Sequence, residues 1–224
     1  MAAGIELPRR MFIHGYLLMG EKKMSKSLGN VLDPFTVIER FGADALRYYC
    51  FREVSFGQDG SISTAGFEAR YETELANEYG NLASRTLAMI DRYRDGEVKQ
   101  PADVPAMPDI AQSVCDRLDR IDITGALDVI WQEVRALNAY VAAEEPWQIA
   151  KDPDRAADLD AVLYRLAEGL RVVSILLHPW IPDATDKLLA ALGEERRDIA
   201  AAKFGDWGGG HVRKIDPLFP RVDG

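Results

Sequence analysis

The densest chemistry of this chain lies at Lys22-Lys23-Met24-Ser25-Lys26-Ser27, where three lysines and two hydroxyls occupy six positions between Gly20 and Gly29. Such a segment can hold positive charge and many hydrogen-bond donors against an oligophosphate. Attack on the α-phosphate of ATP requires this, because charge builds on the β- and γ-phosphates as pyrophosphate leaves. A generic lysine-rich string is more often a solvated turn. This one is not a Walker A loop, since no GxxxxGK[ST] string occurs in the chain.

The string needs rigid elements on both sides. Met11 to Met19 (MFIHGYLLM) is an apolar and aromatic run that predicts a buried strand of a parallel sheet, with His14 as a satisfied core histidine. On the far side, Asp33 and Pro34 have N-cap and first-turn chemistry for a helix that Gly42 closes. A second helix is expected from Asp44 to about Phe51, then a turn or small hairpin over Ser55 to Ser63. From Thr64 the spacing of Phe67, Tyr71, Leu75, Leu82, Met89, Ile90 and Tyr93 puts them on one face of a long helix ending near Gly96.

Residues 97–108 contain three prolines and read as a linker. Further helices are expected at about 109–121, 124–144, 155–177 and 183–192, followed by an extended tail from Lys203 that packs back across the bundle. The fold class is therefore mainly α. A lone strand cannot bury itself, so residues 1–30 are expected to need a sheet from outside this chain.

With 224 residues, 47% hydrophobic and 28% charged, the composition is that of a soluble globular protein. The net charge of −9 is uneven: residues 1–54 carry eight Lys/Arg against six Asp/Glu, and the rest is strongly acidic. A chain of this balance binds nucleic acid only where basic groups cluster locally. Cys50 and Cys115 lie far apart without a CxxC or a clustered histidine, which excludes a zinc knuckle and a disulfide framework. No apolar run is long enough to span a bilayer, and the expected location is cytoplasmic, with no membrane partner.

The stretch GEKKMSKSLGNVLDPFTVIERFGADALRYYCFREVSFGQDGSIS contains KMSKS at Lys23 to Ser27. With Gly80-Asn81-Leu82-Ala83-Ser84-Arg85 and Glu145-Pro146-Trp147, it makes the chain resemble the methionyl-tRNA synthetases over essentially its whole length. These are class I aminoacyl-tRNA synthetases. The resemblance implies three regions: the end of a Rossmann-type nucleotide fold with its KMSKS loop (residues 1–30), a small α/β stem-contact fold (31–66), and an anticodon-binding helix bundle with an extended tail (67–224). It also implies ATP with Mg2+, L-methionine and tRNA(Met) with its anticodon as ligands, and no zinc site in this chain.

Residue roles follow from the same resemblance. Lys26 is assigned to stabilising the ATP phosphates during catalysis, and Lys23 to loop closure or the phosphates. Met24, Ser25 and Ser27 complete the ATP-binding loop. For the anticodon, Asn81 and Arg85 are four apart on one side of a helix and offer an amide for a base edge and a guanidinium for a base or phosphate. Trp147 offers an indole on which an unstacked base can lie. Trp131, Trp180 and Trp207 have no such match and read as packing residues.

The family also uses an HIGH-type motif. Here only His14, His178 and His211 occur, none in an H-x-G-H string. The chain is thus expected to be a C-terminal portion that does not form methionyl-adenylate alone. Two alternatives remain open: a free-standing tRNA-binding module, and a non-catalytic helical interaction domain.

Overall fold

The computed structural model describes residue 4, residues 6–19, the backbone of 22–23, and residues 33–103 and 107–222. Met24, Ser25, Lys26 and Ser27 lie outside the described residues, as does the side chain of Lys23. The first described elements are strand β1 (Leu17–Met19) and strand β2 (Lys22–Lys23), paired antiparallel with Leu18 opposite Lys23. On its other edge β1 runs parallel to β3 (Gly60–Ile62). Gly15 permits that approach, because a Cβ there would sit 2.1 Å from the carbonyl oxygen of Gln58. The neighbouring backbone is stitched by Gly60 N–H to the Tyr16 carbonyl at 2.9 Å and Tyr16 N–H to the Asp59 carboxylate at 2.6 Å.

Three expectations are corrected here, the first being that the strand needs a sheet from outside the chain: β2 and β3 of this chain pair with both its edges. The apolar run is a strand only over its last three residues, and Met11 and Ile13 are 82% and 81% exposed. The described strands β2 and β3 pair with β1 from Leu17 onward, and ahead of it Phe12 meets only the edge of the Phe56 ring, at 6.4 Å, on the surface. His14 is likewise exposed, with its Nδ1 at 2.9 Å from the Gly15 carbonyl. Of the turn or small hairpin expected over Ser55 to Ser63, the structure has the turn, closed by Gln58 N–H to the Ser55 carbonyl at 3.2 Å, and the strand that follows pairs with β1 in parallel.

Helix α1 (Pro34–Phe41) starts and stops where the local chemistry demands. The Asp33 carboxylate accepts from Phe35 N–H at 3.1 Å, and Gly42, at φ 88°, ends the helix. Helix α2 (Ala43–Glu53) follows directly. From Thr64 the chain is helical to Arg94, in three parts: α3 (Thr64–Arg70), a ten-residue π-helical segment (Tyr71–Gly80) and α4 (Asn81–Arg94). The π segment has no signature in the periodicity, and such segments recur at functional sites.

The expected linker contains a strand, β4 (Glu97–Lys99), which pairs antiparallel with β5 (Gly209–His211) in the tail. The remaining helices are α5 (Ala111–Asp119), α6 (Ile123–Glu144), the single turn α7 (Pro146–Ile149), α8 (Ala156–Leu177) and α9 (Pro182–Leu192). Helix α8 is buried on nearly every face from Leu159 to Leu177 and packs against α4, α6, α7 and α9, so it forms the axis of the bundle. Trp131 on α6 is fully buried and stacked between Tyr48 (5.2 Å) and Tyr79 (6.4 Å). Trp180 and Trp207 are also buried, as expected of packing residues. No described helix is long and apolar enough to cross a membrane.

The front of the chain is joined to the bundle by charge. Arg52 on α2 donates to Glu74 in the π segment at 3.1 Å and to Asp128 on α6 at 2.6 Å. Glu74 also accepts from Arg70 at 2.9 Å and from the Tyr48 hydroxyl. Burial pushes the Glu74 carboxyl up, but the hydrogen bonds from Arg52 and Tyr48 and the charges of Arg52 and Arg70 outweigh it and hold it below its usual range. Asp44 on α2 supplies a cap from a distance, accepting Ala184 N–H of α9 at 2.7 Å.

The tail does fold back across the bundle. Trp207 stacks on Tyr164, whose hydroxyl donates to the Trp207 carbonyl at 2.6 Å, and Tyr71 donates to the Pro220 carbonyl at 2.6 Å. Fully buried Arg171 on α8 anchors this return. It bonds Glu168 at 2.6 Å, Glu194 at 3.1 Å and the carbonyls of Ala201 (2.6 Å) and Lys203 (2.7 Å). Burial raises the Glu194 carboxyl, yet hydrogen bonds from Arg196 and the charges of Arg196 and Arg171 prevail and hold it at about 2.

Candidate nucleic-acid interface

Helix α4 opens at Asn81, so its exposed stripe is set from that residue. Arg85, Met89 and Arg92 follow at helical spacing on one side. Opposite them, α6 stops at Glu144 because Glu145 takes a left-handed conformation (φ 45°). Pro146 then starts α7, a turn held by Gln148 N–H to the Glu145 carbonyl at 2.7 Å and Ala150 N–H to the Pro146 carbonyl at 2.9 Å. Pro146 and Ile149 are buried, which leaves Trp147 between them facing outward and 36% exposed.

These two elements form an open cleft of about 280 Å³ lined by Arg85, Ala88, Met89, Arg92, Tyr93 and Trp147. The structure thus brings together Arg85 and Trp147, two of the three residues expected to meet an anticodon. Asn81 is one turn away. It lines a separate cavity of about 340 Å³ with Asn77, Ser84, Phe219 and Arg221, on the side where the tail returns. Among the described residues, neither Asn81 nor Arg85 has a side-chain hydrogen bond or ion pair. A guanidinium and an indole left without partners at one cleft can take a planar group on the ring and an acceptor on the fork.

Met89 and Tyr93 are half-buried, so one edge of each packs on the core while the other walls the cleft. Periodicity assigned them wholly to the core and missed Arg92 altogether. Their positions four, seven and eight residues beyond Arg85 were the signal available. Of the lysine string only the Lys22–Lys23 backbone can be placed, at the edge of the three-stranded sheet. Among the described residues no group of three or more His, Cys, Asp and Glu is gathered to hold a metal ion.

Residues 1–87 match the family model for class I tRNA synthetases of the M type, and residues 103–205 match that for the anticodon binding domain of methionyl tRNA ligase. Both descriptions are of methionyl enzymes, and between them the two matches make the chain similar to the methionyl-tRNA synthetase family over most of its length. The cleft spans both matches, with Arg85 in the first and Trp147 in the second. Methionine–tRNA ligases from Bacillus subtilis and Clostridium acetobutylicum are 39% and 40% identical over the whole chain. The chain spans 36% of the length of each of these relatives. A Mycobacterium tuberculosis methionyl-tRNA synthetase in complex with methionyl-adenylate superposes with a TM-score of 0.84 at 35% identity, covering 98% of this chain and 46% of that one. The free form of a synthetase from the same organism gives 0.82 at 32% identity.

Proposed function

We propose that this chain is the C-terminal portion of a methionine–tRNA ligase, which joins L-methionine to tRNA(Met) with cleavage of ATP to AMP and diphosphate. Residues 1–30 supply the KMSKS loop, 31–66 a fold that contacts the tRNA stem, and 67–224 the part that reads the anticodon. One observation supports the reading most: Arg85 and Trp147 converge from separate helices on one cleft without partners of their own among the described residues. The indole takes an unstacked anticodon base, Arg85 takes that base or its phosphate, and Asn81 meets the base edge of a neighbour.

The decisive measurement is the affinity of the chain for an anticodon stem-loop RNA bearing CAU. Trp147→Ala is expected to weaken it by roughly ten- to a hundredfold, the range for loss of one stacked base. Unchanged affinity in both Trp147→Ala and Arg85→Gln refutes the proposed interface.

In the catalytic half-reaction, ATP binds with Mg2+, and Lys26 and Lys23 meet the phosphates while Met24, Ser25 and Ser27 shape the loop. The methionine carboxylate attacks the α-phosphate, and no covalent enzyme intermediate is needed. The histidines of an HIGH-type motif belong to a preceding nucleotide-binding half, because the sequence here has no H-x-G-H string. The isolated chain is therefore expected to show no methionine-dependent ATP–pyrophosphate exchange, and measurable exchange would overturn this division of labour. A free-standing tRNA-binding module is the rival reading. It is favoured by a cleft whose walls all come from this chain, and it makes the lysine string a vestige.

A further inference from the structure

We propose that Arg92 is a phosphate-binding residue of this interface, holding the backbone of the anticodon loop two helical turns beyond Arg85. The inference rests on the reading of the cleft as the anticodon site, and it assigns to Arg92 a task different from that of Trp147. Seven residues separate Arg85 from Arg92 on α4, which places them on one face about 10 Å apart along the axis.

The arginines near the end of α4 are used unequally. Arg94 is committed to the fold through Asp160, the Tyr93 carbonyl at 2.8 Å and the Ala156 carbonyl at 2.9 Å. Arg92 is exposed, and among the described residues its guanidinium has no ion pair or hydrogen bond. The nearest carboxylate in sequence, Asp91, is taken by Lys214 at 2.5 Å and does not neutralise it.

What Arg92 does touch defines its role. Its guanidinium lies over the Tyr93 ring, 5.5 Å from the centroid. A cation–π contact uses none of the guanidinium's N–H donors, which stay available to an acceptor. An exposed guanidinium with unused donors at the rim of this cleft suits a phosphate. The two walls of the cleft thus divide recognition: the indole of Trp147 selects a base, and Arg92 positions the strand. A chain of net charge −9 needs such a local cation to meet a polyanion.

The test measures binding of two anticodon stem-loop RNAs, one with CAU and one with an altered anticodon, across a salt series. Arg92→Gln is expected to weaken both by the same factor, roughly tenfold at low salt, and to lower the slope of log affinity against log salt by about 0.7 to 1. Arg92→Lys should keep the slope. Trp147→Ala should narrow the difference between the two RNAs and leave the slope unchanged. An unaltered slope in Arg92→Gln, or a loss confined to the CAU loop, overturns the assignment. If neither Arg92→Gln nor Trp147→Ala affects binding, the reading of the cleft falls. If only Trp147→Ala acts, the role of Arg92 alone is refuted.

Discussion

Arg171→Ala should destabilise the fold by about 3–5 kcal/mol, the cost of breaking a buried ion pair from one side. Glu168 is fully buried and Glu194 nearly so, and both would lose the same guanidinium. The carbonyls of Ala201 and Lys203 would lose a donor as well. Arg155 provides the contrast, since its pair with Asp158 is about half exposed on both sides. Exposed pairs contribute about 0–1 kcal/mol, so Arg155→Ala should scarcely shift a denaturant midpoint. The damage from Arg171→Ala should begin in the tail. Trp207 sits just beyond the anchored carbonyls and packs on Tyr164, so its fluorescence should change before the helical signal does. Equal midpoints for Arg171→Ala and Arg155→Ala would show that the network contributes nothing to stability.

Such a network could not be read from the sequence, although the helix that carries it could. Helix α8 announces itself by an apolar run of helical length, and α1 by Asp33, Pro34 and Gly42 within ten residues. Those signals are local. Arg171 looks like an ordinary charged residue until the tail returns to meet it. The same holds for Asp44 capping α9 from 140 residues away, and for β4, whose partner strand lies more than a hundred residues downstream. Short strands of this kind are specified by what pairs with them, not by their own propensity. The run before the lysine string failed as a buried strand for the converse reason: its composition is right, but the ladders of the described sheet begin only at Leu17.

The candidate site divides in the same way. Arg85 and Trp147 are 62 residues apart in the sequence, and nothing in their spacing brings them together. Only the resemblance to a family singled them out, and the fold then set them across one cleft. Asn81 and Arg85 share a helix face, as four-residue spacing requires, yet the returning tail places Asn81 in a different cavity. A helix face also has edges, and Met89 and Tyr93 lie on one. Periodicity separates inside from outside but does not mark residues that serve both.

The largest kinetic effect is expected at Lys26. In a full-length ligase carrying this segment, Lys26→Ala should slow methionyl-adenylate synthesis by about 10²–10³-fold, the usual loss when a preorganised charge-stabilising group is removed. Negative charge on the departing pyrophosphate is greater in the transition state than in bound ATP. The loss should therefore fall on kcat and on kcat/KM together, with the KM for ATP little changed. A rise in KM alone would mean that Lys26 merely holds ATP. An unchanged rate would make the lysine string a vestige and favour the free-standing module. Trp147→Ala in the same enzyme separates the two ends of the chain. It should leave ATP–pyrophosphate exchange intact and raise the KM for tRNA, because the indole belongs to the bundle and the lysines to the opposite end of the sequence. If Trp147→Ala also slowed adenylate formation without tRNA, the two sites would be coupled through the fold itself.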